Sequence, residues 1–288
     1  MLSNNLNQAT LGWFHDCVFA SDSYFLADEL TGVWRKRIDK NEPELWLSVK
    51  LSNLTGRAIR VGSRGRVVVL NTLGGRLTVA WARTGKHKKA GHFELPRIMD
   101  DEIRDFQVLG SRQDKLLTVS ETGYMILYHM SYRARRCLTY RTKKVTLMKG
   151  RREKISCLCV DPKTNYLALS IMDSRYLIGS RILLFQLRGA GLRLENGIDF
   201  HFESMRQFDA FGFIGRFYGS LVLCGLTAGK ESQVVTYGVD LRTREFNEVY
   251  ELRLKLENVG GPVKMVRMGE FLYSSDLSGR LIQVNYKE

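Results

Sequence analysis

The stretch TVSETGYMILYHM (118–130) places two apolar runs on either side of a short polar turn, Glu121-Thr122-Gly123. The same pattern of run, turn and run returns along the chain. Its copies are YFLADELTGVWRKRI (24–38), RVVVLNTLGGRLTVAWA (66–82), KLLTVSETGYMILYHM (115–130) and EFLYSSDLSGRLIQVNY (270–286). Each first run is rich in β-branched, aromatic or leucine residues. A glycine then closes the turn (Gly32, Gly75, Gly123, Gly279) and a second alternating run follows. Alternation with period two predicts half-buried strands, and glycine supplies the positive φ that tight hairpin turns demand.

Two looser copies fill the gap, NYLALSIMDSRYLIGSRILLFQL (165–187) and GSLVLCGLTAGKESQVVTYGV (219–239). Every hairpin has a strand candidate before it: 16–21, 58–64, 103–110, 155–161, 208–215 and 263–269. Five have another after it: ELWLSVKL (44–51), HFELPRI (92–98), CLTYRTKKVTL (137–147), GIDFHFE (197–203) and EVYELRL (248–254). Four strands per unit, repeated at a spacing of roughly 45–55 residues, is the blade pattern of a β-propeller. The best helical candidate, MDDEIRDFQVL (99–109), runs straight into a strand. The class expected is therefore all-β, a single propeller domain over 1–288 with six four-stranded blades, or seven. Two β-sandwich domains are the competing arrangement, since their strands are also short and evenly spaced. The last unit ends after its third strand, so closing a ring would draw on residues 1–10.

The segment CVFASDSYFLADELTGVWRKRID (17–39) resembles the WD40 family's run of inner strand, Asp-containing turn, second strand, Gly turn and third strand with a Trp near its end. CLCVDPKTNYLALS (157–170) resembles the segment in which an Asp-Pro turn links the first two strands of a blade. The Trp-Asp dipeptide is absent; the third strands end in WRKRID, VAWART, LYHMSY, FQLRGA, YGVDLR and VNYKE. The resemblance is thus to a degenerate WD40-like propeller, and the buried hydrogen-bond network of the family is not carried over. It implies a non-enzymatic interaction scaffold, a subunit of a larger assembly that binds protein partners through blade loops on a rigid ring.

Composition sharpens the choice of partner. The chain of 288 residues has 44 Lys and Arg against 30 Asp and Glu, a net charge of +14, which attracts anionic partners. An apolar fraction of 44% is enough for a real core. The five cysteines show no framework spacing, and MLSNNLNQATLGWFHDC lacks the basic and apolar regions of a secretory leader. No apolar run approaches the roughly 18 residues of a membrane span. These features predict an intracellular protein, cytoplasmic or nuclear, with free thiols.

Few residues suggest chemistry. Gly225-Leu226-Thr227-Ala228-Gly229-Lys230-Glu231-Ser232 nearly matches a phosphate loop, but it is one residue short and has Glu231 where the metal-binding hydroxyl belongs. A hairpin turn is the simpler reading. Cys157 and Cys159 share one face of a strand without a second ligand pair, and so read as core thiols rather than zinc ligands. His15-Asp16 lacks the further His and Asp ligands of a metal phosphohydrolase. His87, His92, His129 and His201 form no motif, and Asp100-Asp101-Glu102 reads as a solvated turn. No catalytic residue, metal, cofactor or small-molecule substrate is expected. An enzyme with a central-channel site is the remote alternative.

The basic clusters stand apart. RARRCLTYRTKKVTLMKGRREK (133–154) holds ten Lys or Arg and one acid, Glu153. RTGKHKKAGH (83–92) falls on the equivalent connection one unit earlier. The residues expected to bind a polyanion are Arg133, Arg135, Arg136, Arg141, Lys143, Lys144, Lys149, Arg151, Arg152, Lys86, Lys88 and Lys89, with Tyr132 and Tyr140 placed to stack on bases. Nucleic acid, RNA more than DNA, or another polyanion such as an anionic lipid, is the alternative to an acidic protein. The plainer explanation is that Lys and Arg on outer strands keep an exposed edge from pairing with other chains.

Overall fold

The structure, a computed structural model, describes the backbone at residues 14–20, 23–28, 32–37, 39–40, 42–48, 59–61, 66–71, 76–81, 89–96, 103–109, 114–131, 133–134, 136–147, 152–160, 166–173, 178–188, 193–194, 198–201, 208–217, 220–227, 232–240, 245–254, 262–268, 271–276 and 281–285. Side chains are described mainly at 32–47 and between 94 and 187. Every regular element among these residues is a strand. No helix is long and apolar enough to cross a membrane.

The strands gather into six sheets among the described residues, each made of consecutive antiparallel neighbours. The first holds Phe14–Ala20 (β1), Ser23–Asp28 (β2), Gly32–Arg37 (β3) and Glu44–Ser48 (β4). The second holds Ile59–Val61 (β5), Arg66–Asn71 (β6), Arg76–Trp81 (β7) and Lys89–Glu94 (β8). The third holds Ile103–Leu109 (β9), Lys115–Ser120 (β10), Tyr124–Ser131 (β11) and Arg136–Lys144 (β12). In the fourth are Glu153–Val160 (β13), Tyr166–Asp173 (β14) and Ile178–Arg188 (β15). Arg193–Leu194 (β16) and Ile198–His201 (β17) both pair along β15, so the outer strand of this sheet is split. The fifth comprises Phe208–Phe217 (β18), Ser220–Thr227 (β19), Ser232–Asp240 (β20) and Glu245–Leu254 (β21). The sixth has three strands, Pro262–Met268 (β22), Phe271–Asp276 (β23) and Leu281–Asn285 (β24). Residues 1–10, which would complete it, lie outside the described residues.

Two compact units contain these sheets, one of residues 2–145 with 277–281, the other chiefly of 146–276 with 282–288. In the first, β1 packs beside β5 and β5 beside β9. In the second, β13 packs beside β18 and β18 beside β22. Within each unit the first strand of one sheet therefore lies against the first strand of the next. That is the arrangement of propeller blades, and it is not how two facing sheets of a sandwich would pack.

Local chemistry accounts for the strands. Gly32 and Gly123 take φ of 121° and 96°, as the hairpin pattern requires. At the second of these, Gly123 N–H donates to the Ser120 carbonyl at 3.1 Å, and Tyr124 N–H to Ser120 Oγ at 2.8 Å. This closes a three-residue loop. The strand expected at 103–110 is β9 (Ile103–Leu109), and Phe106, buried at 0% exposure, joins Leu116, Ile126, Tyr128 and Met130 in the core of the third sheet. In the fourth sheet Leu167–Ile171 is buried without interruption, as befits a central strand covered on both faces. In the first sheet Phe25 meets Trp46 edge to face at 4.9 Å.

Several strand boundaries differ from expectation: β21 begins at Glu245 rather than Glu248, and β8 begins at Lys89 rather than His92, so the end of the second basic cluster is strand and not connection. Pro96, without an N–H to donate, follows soon after it. The segment resembling a phosphate loop joins β19 to β20, antiparallel partners with Leu226 opposite Val234; residues 228–231 lie outside the described residues. No helix opens there, so the phosphate-loop geometry is not met.

Candidate polyanion-binding surface

β12 is the outer strand of the third sheet and carries the densest part of the basic run. It pairs with β11 from Tyr124 opposite Lys144 to Ser131 opposite Arg136. Leu127 faces Arg141 and Tyr128 faces Thr139, so Tyr140 is the additional residue of a β-bulge. Arg136, Leu138, Thr139, Thr142 and Lys144 are exposed, and Cys137 and Val145 are buried. The strand thus anchors through a few apolar contacts and presents its polar side to solvent. Lys143 is half-buried. Lys144 Nζ sits 4.8 Å from the centre of the Tyr124 ring, a cation–π pair at the sheet's turn end. At the same end Val145 N–H donates to the Gly123 carbonyl at 2.9 Å. Arg133 is exposed in the turn between β11 and β12, where Ala134 N–H donates to Ser131 Oγ at 3.3 Å.

β8 packs against β12, which brings the strand bearing Lys89 beside the one bearing Arg136, Arg141, Lys143 and Lys144. Tyr128 Oη, reaching 3.5 Å to the Pro96 carbonyl, belongs to the same contact. Arg152 is exposed at the entry to β13 and takes φ of 48°. Lys86, Lys88, Tyr132, Arg135, Lys149 and Arg151 lie outside the described residues, and the side chains of Lys89, Tyr140 and Arg141 are likewise not described.

The lone acid of the basic run is not a solvated neighbour of these cations. Glu153 is buried, and Arg181 on β15 grips it: Nε lies 3.1 and 3.2 Å from the two carboxylate oxygens and Nη2 lies 2.8 Å from Oε2. Nη2 also donates to the Thr146 carbonyl at 2.6 Å. Arg181 was not among the expected site residues. Its signal was an arginine inside the apolar run SRILLFQL, matched by a single acid inside a basic run. In the first sheet Arg35 is also buried, with Nε 3.0 Å from Ser23 Oγ and Nη1 3.7 Å from Glu44. Its neighbour Lys36 is buried as well, and desolvation lowers its pKa.

Cys157 and Cys159 are free and buried on β13, as core thiols should be. Cys137 is a third buried free thiol, and burial pushes its pKa up to about 12. Such thiols are poor nucleophiles and poor ligands. Among the described residues no group of His, Cys, Asp or Glu is arranged to hold a metal ion.

The fold these sheets define is a divergent β-propeller. The chain resembles the Cps50 (Swd1) β-propeller domain of Myceliophteria thermophila with a TM-score of 0.60 at 12% identity, covering 99% of this chain and 100% of that one. It also resembles hydrazine synthase of Kuenenia stuttgartiensis with a TM-score of 0.59 at 10% identity, covering 93% of this chain and 74% of that one. Identities this low carry the fold and not the activity. No family model and no curated protein matches the sequence.

Proposed function

We propose that the chain is a single WD40-like propeller domain that serves as a non-enzymatic intracellular scaffold, a subunit of a larger assembly. Its docking surface is basic, and it needs no metal or cofactor. The observation carrying this reading is the row of solvent-facing side chains on the outer strand β12, with Arg136 and Lys144 exposed and Arg133 in the adjoining turn. The buried polar groups support a structural rather than catalytic use: Arg35 is engaged with Ser23, and Arg181 with Glu153. An acidic protein surface is the partner chemistry that suits such a row. A second reading, direct binding of RNA, is favoured by the packing of β8 beside β12, which would widen the basic strip.

A tagged pull-down from native extract, divided and half treated with nuclease, tests both. The same stoichiometric proteins are expected in each half. Loss of those partners with nuclease, and nucleic acid in the untreated half, would replace the scaffold reading with the second.

A further inference from the structure

The two edges of β12 are not alike. Val145 N–H donates to the Gly123 carbonyl, and Met130 N–H donates to the Asp114 carbonyl at 2.6 Å. Odd-numbered residues of β11 therefore turn their backbone groups toward β12, and even-numbered ones turn theirs toward β10. On β12 the partners of the odd residues, Lys143, Arg141, Leu138 and Arg136, bond within the sheet. The partners of the even residues, Lys144, Thr142, Thr139 and Cys137, turn N–H and C=O to the opposite edge. β12 ends the sheet, and no described strand pairs along that edge. Cys137 is 3% exposed, so the edge is covered there. Thr139, Thr142 and Lys144 are exposed, so it is open over the rest. Backbone donors and acceptors on an open edge are a template for one more strand.

Charge restricts which strand fits. β12 carries Arg136, Arg141, Lys143 and Lys144 and no acid. The outer strands of the other four-stranded sheets, β4, β8 and β21, each carry glutamate. A second copy of β12 would set cation against cation and is rejected. A segment rich in Asp or Glu meets the opposite sign. Arg136 and, in the adjoining turn, Arg133 are exposed; the Lys144 ammonium is engaged with Tyr124, so Lys144 contributes chiefly its backbone. Leu138, 53% exposed, adds an apolar contact beside this charge. The bulge at Tyr140 bends the edge between Thr139 and Thr142, which keeps an added ladder short. All these groups belong to the unit of residues 2–145.

We propose that the open edge of β12, from Thr139 to Lys144, takes an extended acidic segment of a partner protein as a further strand of the third sheet. This rests on the reading of β12 as a docking surface for an acidic protein and deepens it: backbone hydrogen bonds hold the segment, and charge selects it. RNA has no peptide backbone with which to fill such a ladder.

Thr142→Pro removes an outward N–H from the open edge and no bond within the sheet, as an edge strand permits. Thr142→Ala keeps that N–H. Circular dichroism and urea unfolding establish that both variants are folded. The probe is a fluorescein-labelled peptide of alternating Glu and Val, about eight residues long so that it spans the edge. A second peptide has the same side chains and a methyl group on every backbone nitrogen. The wild-type chain and Thr142→Ala should bind the first peptide within about twofold of each other. Thr142→Pro should bind it about tenfold more weakly, through loss of the hydrogen bond and the ladder beside it. The methylated peptide should not bind the wild-type chain, and this comparison decides if the proline variant is unfolded. Equal binding of both peptides, or of the first peptide by the wild-type chain and folded Thr142→Pro, shows capture by charge alone; strand addition is then overturned and the basic docking surface stands. No binding of the first peptide by the wild-type chain also overturns the proposal. If a labelled single-stranded RNA binds in its place, the acidic-protein reading falls with it.

Discussion

Gly123 sits at φ 96°, where a β-carbon would collide with the backbone. Gly123→Ala should therefore lower stability by about 1–2 kcal/mol, read from the urea midpoint, without altering the sheet. Tyr128 and Cys137 make a second residue-scale case. Burial raises the Tyr128 phenol from 10.0 to about 12, partly offset by its hydrogen bond with Thr118 and reinforced by nearby Cys137. Burial alone raises Cys137 from 9.0 to about 12. Both groups bind their protons more tightly in the folded chain. Their contribution is complete below pH 9 and is lost as pH rises from 9 to 12. For Tyr128 the loss amounts to about 3 kcal/mol at roughly 1.4 kcal/mol per unit. Tyr128→Phe should flatten the fall in urea midpoint between pH 9 and pH 11. An unchanged fall would show that the phenol is not desolvated.

At the scale of elements, each sheet depends on its central strands and tolerates change at its outer one. Phe106 and Leu116 sit at 0% exposure against a shared cluster, so Phe106→Ala should cost about 3–5 kcal/mol. Leu138, on the outer strand β12 and 53% exposed, should accept Leu138→Lys within about 0.5 kcal/mol. The Arg181–Glu153 pair tests the same logic with charge. Arg181→Met alone strands a buried carboxylate and should cost about 3–5 kcal/mol, whereas the paired replacement by methionine should cost much less. Thermal or urea unfolding of the single and double variants decides the point. If the two cost the same, the pair is not a closed electrostatic unit.

For the whole molecule the governing quantity is the +14 charge and where it lies. Charge reversal at Arg133, Arg136 and Lys144 changes exposed positions only, so unfolding should hardly respond while binding to the anionic partner weakens steeply. Binding to native partners that survives the reversal unchanged would remove the basic surface from function. The same reversal separates a working surface from an edge merely guarded against aggregation. A guard that is only electrostatic would lose colloidal stability and no partner.

Hairpins and their period were legible in the sequence because strand alternation and turn glycines act over a few residues. Gly32 and Gly123 mark their turns whatever surrounds them, and β9 to β12 fall close to their expected positions. Strand ends were less legible: β8 starts at Lys89 because its extent depends on pairing with β7, not on its own residues. The basic run was visible as composition, but composition does not say which charges meet water. Only the tertiary structure separates Arg136 and Lys144, exposed on an outer strand, from Arg35 and Arg181, buried in ion pairs, and turns Glu153 from a lone acid into one half of a clamp. The reason is range. Propensity and turn chemistry are local, whereas burial and charge pairing join residues such as Glu153 and Arg181 that are 28 positions apart.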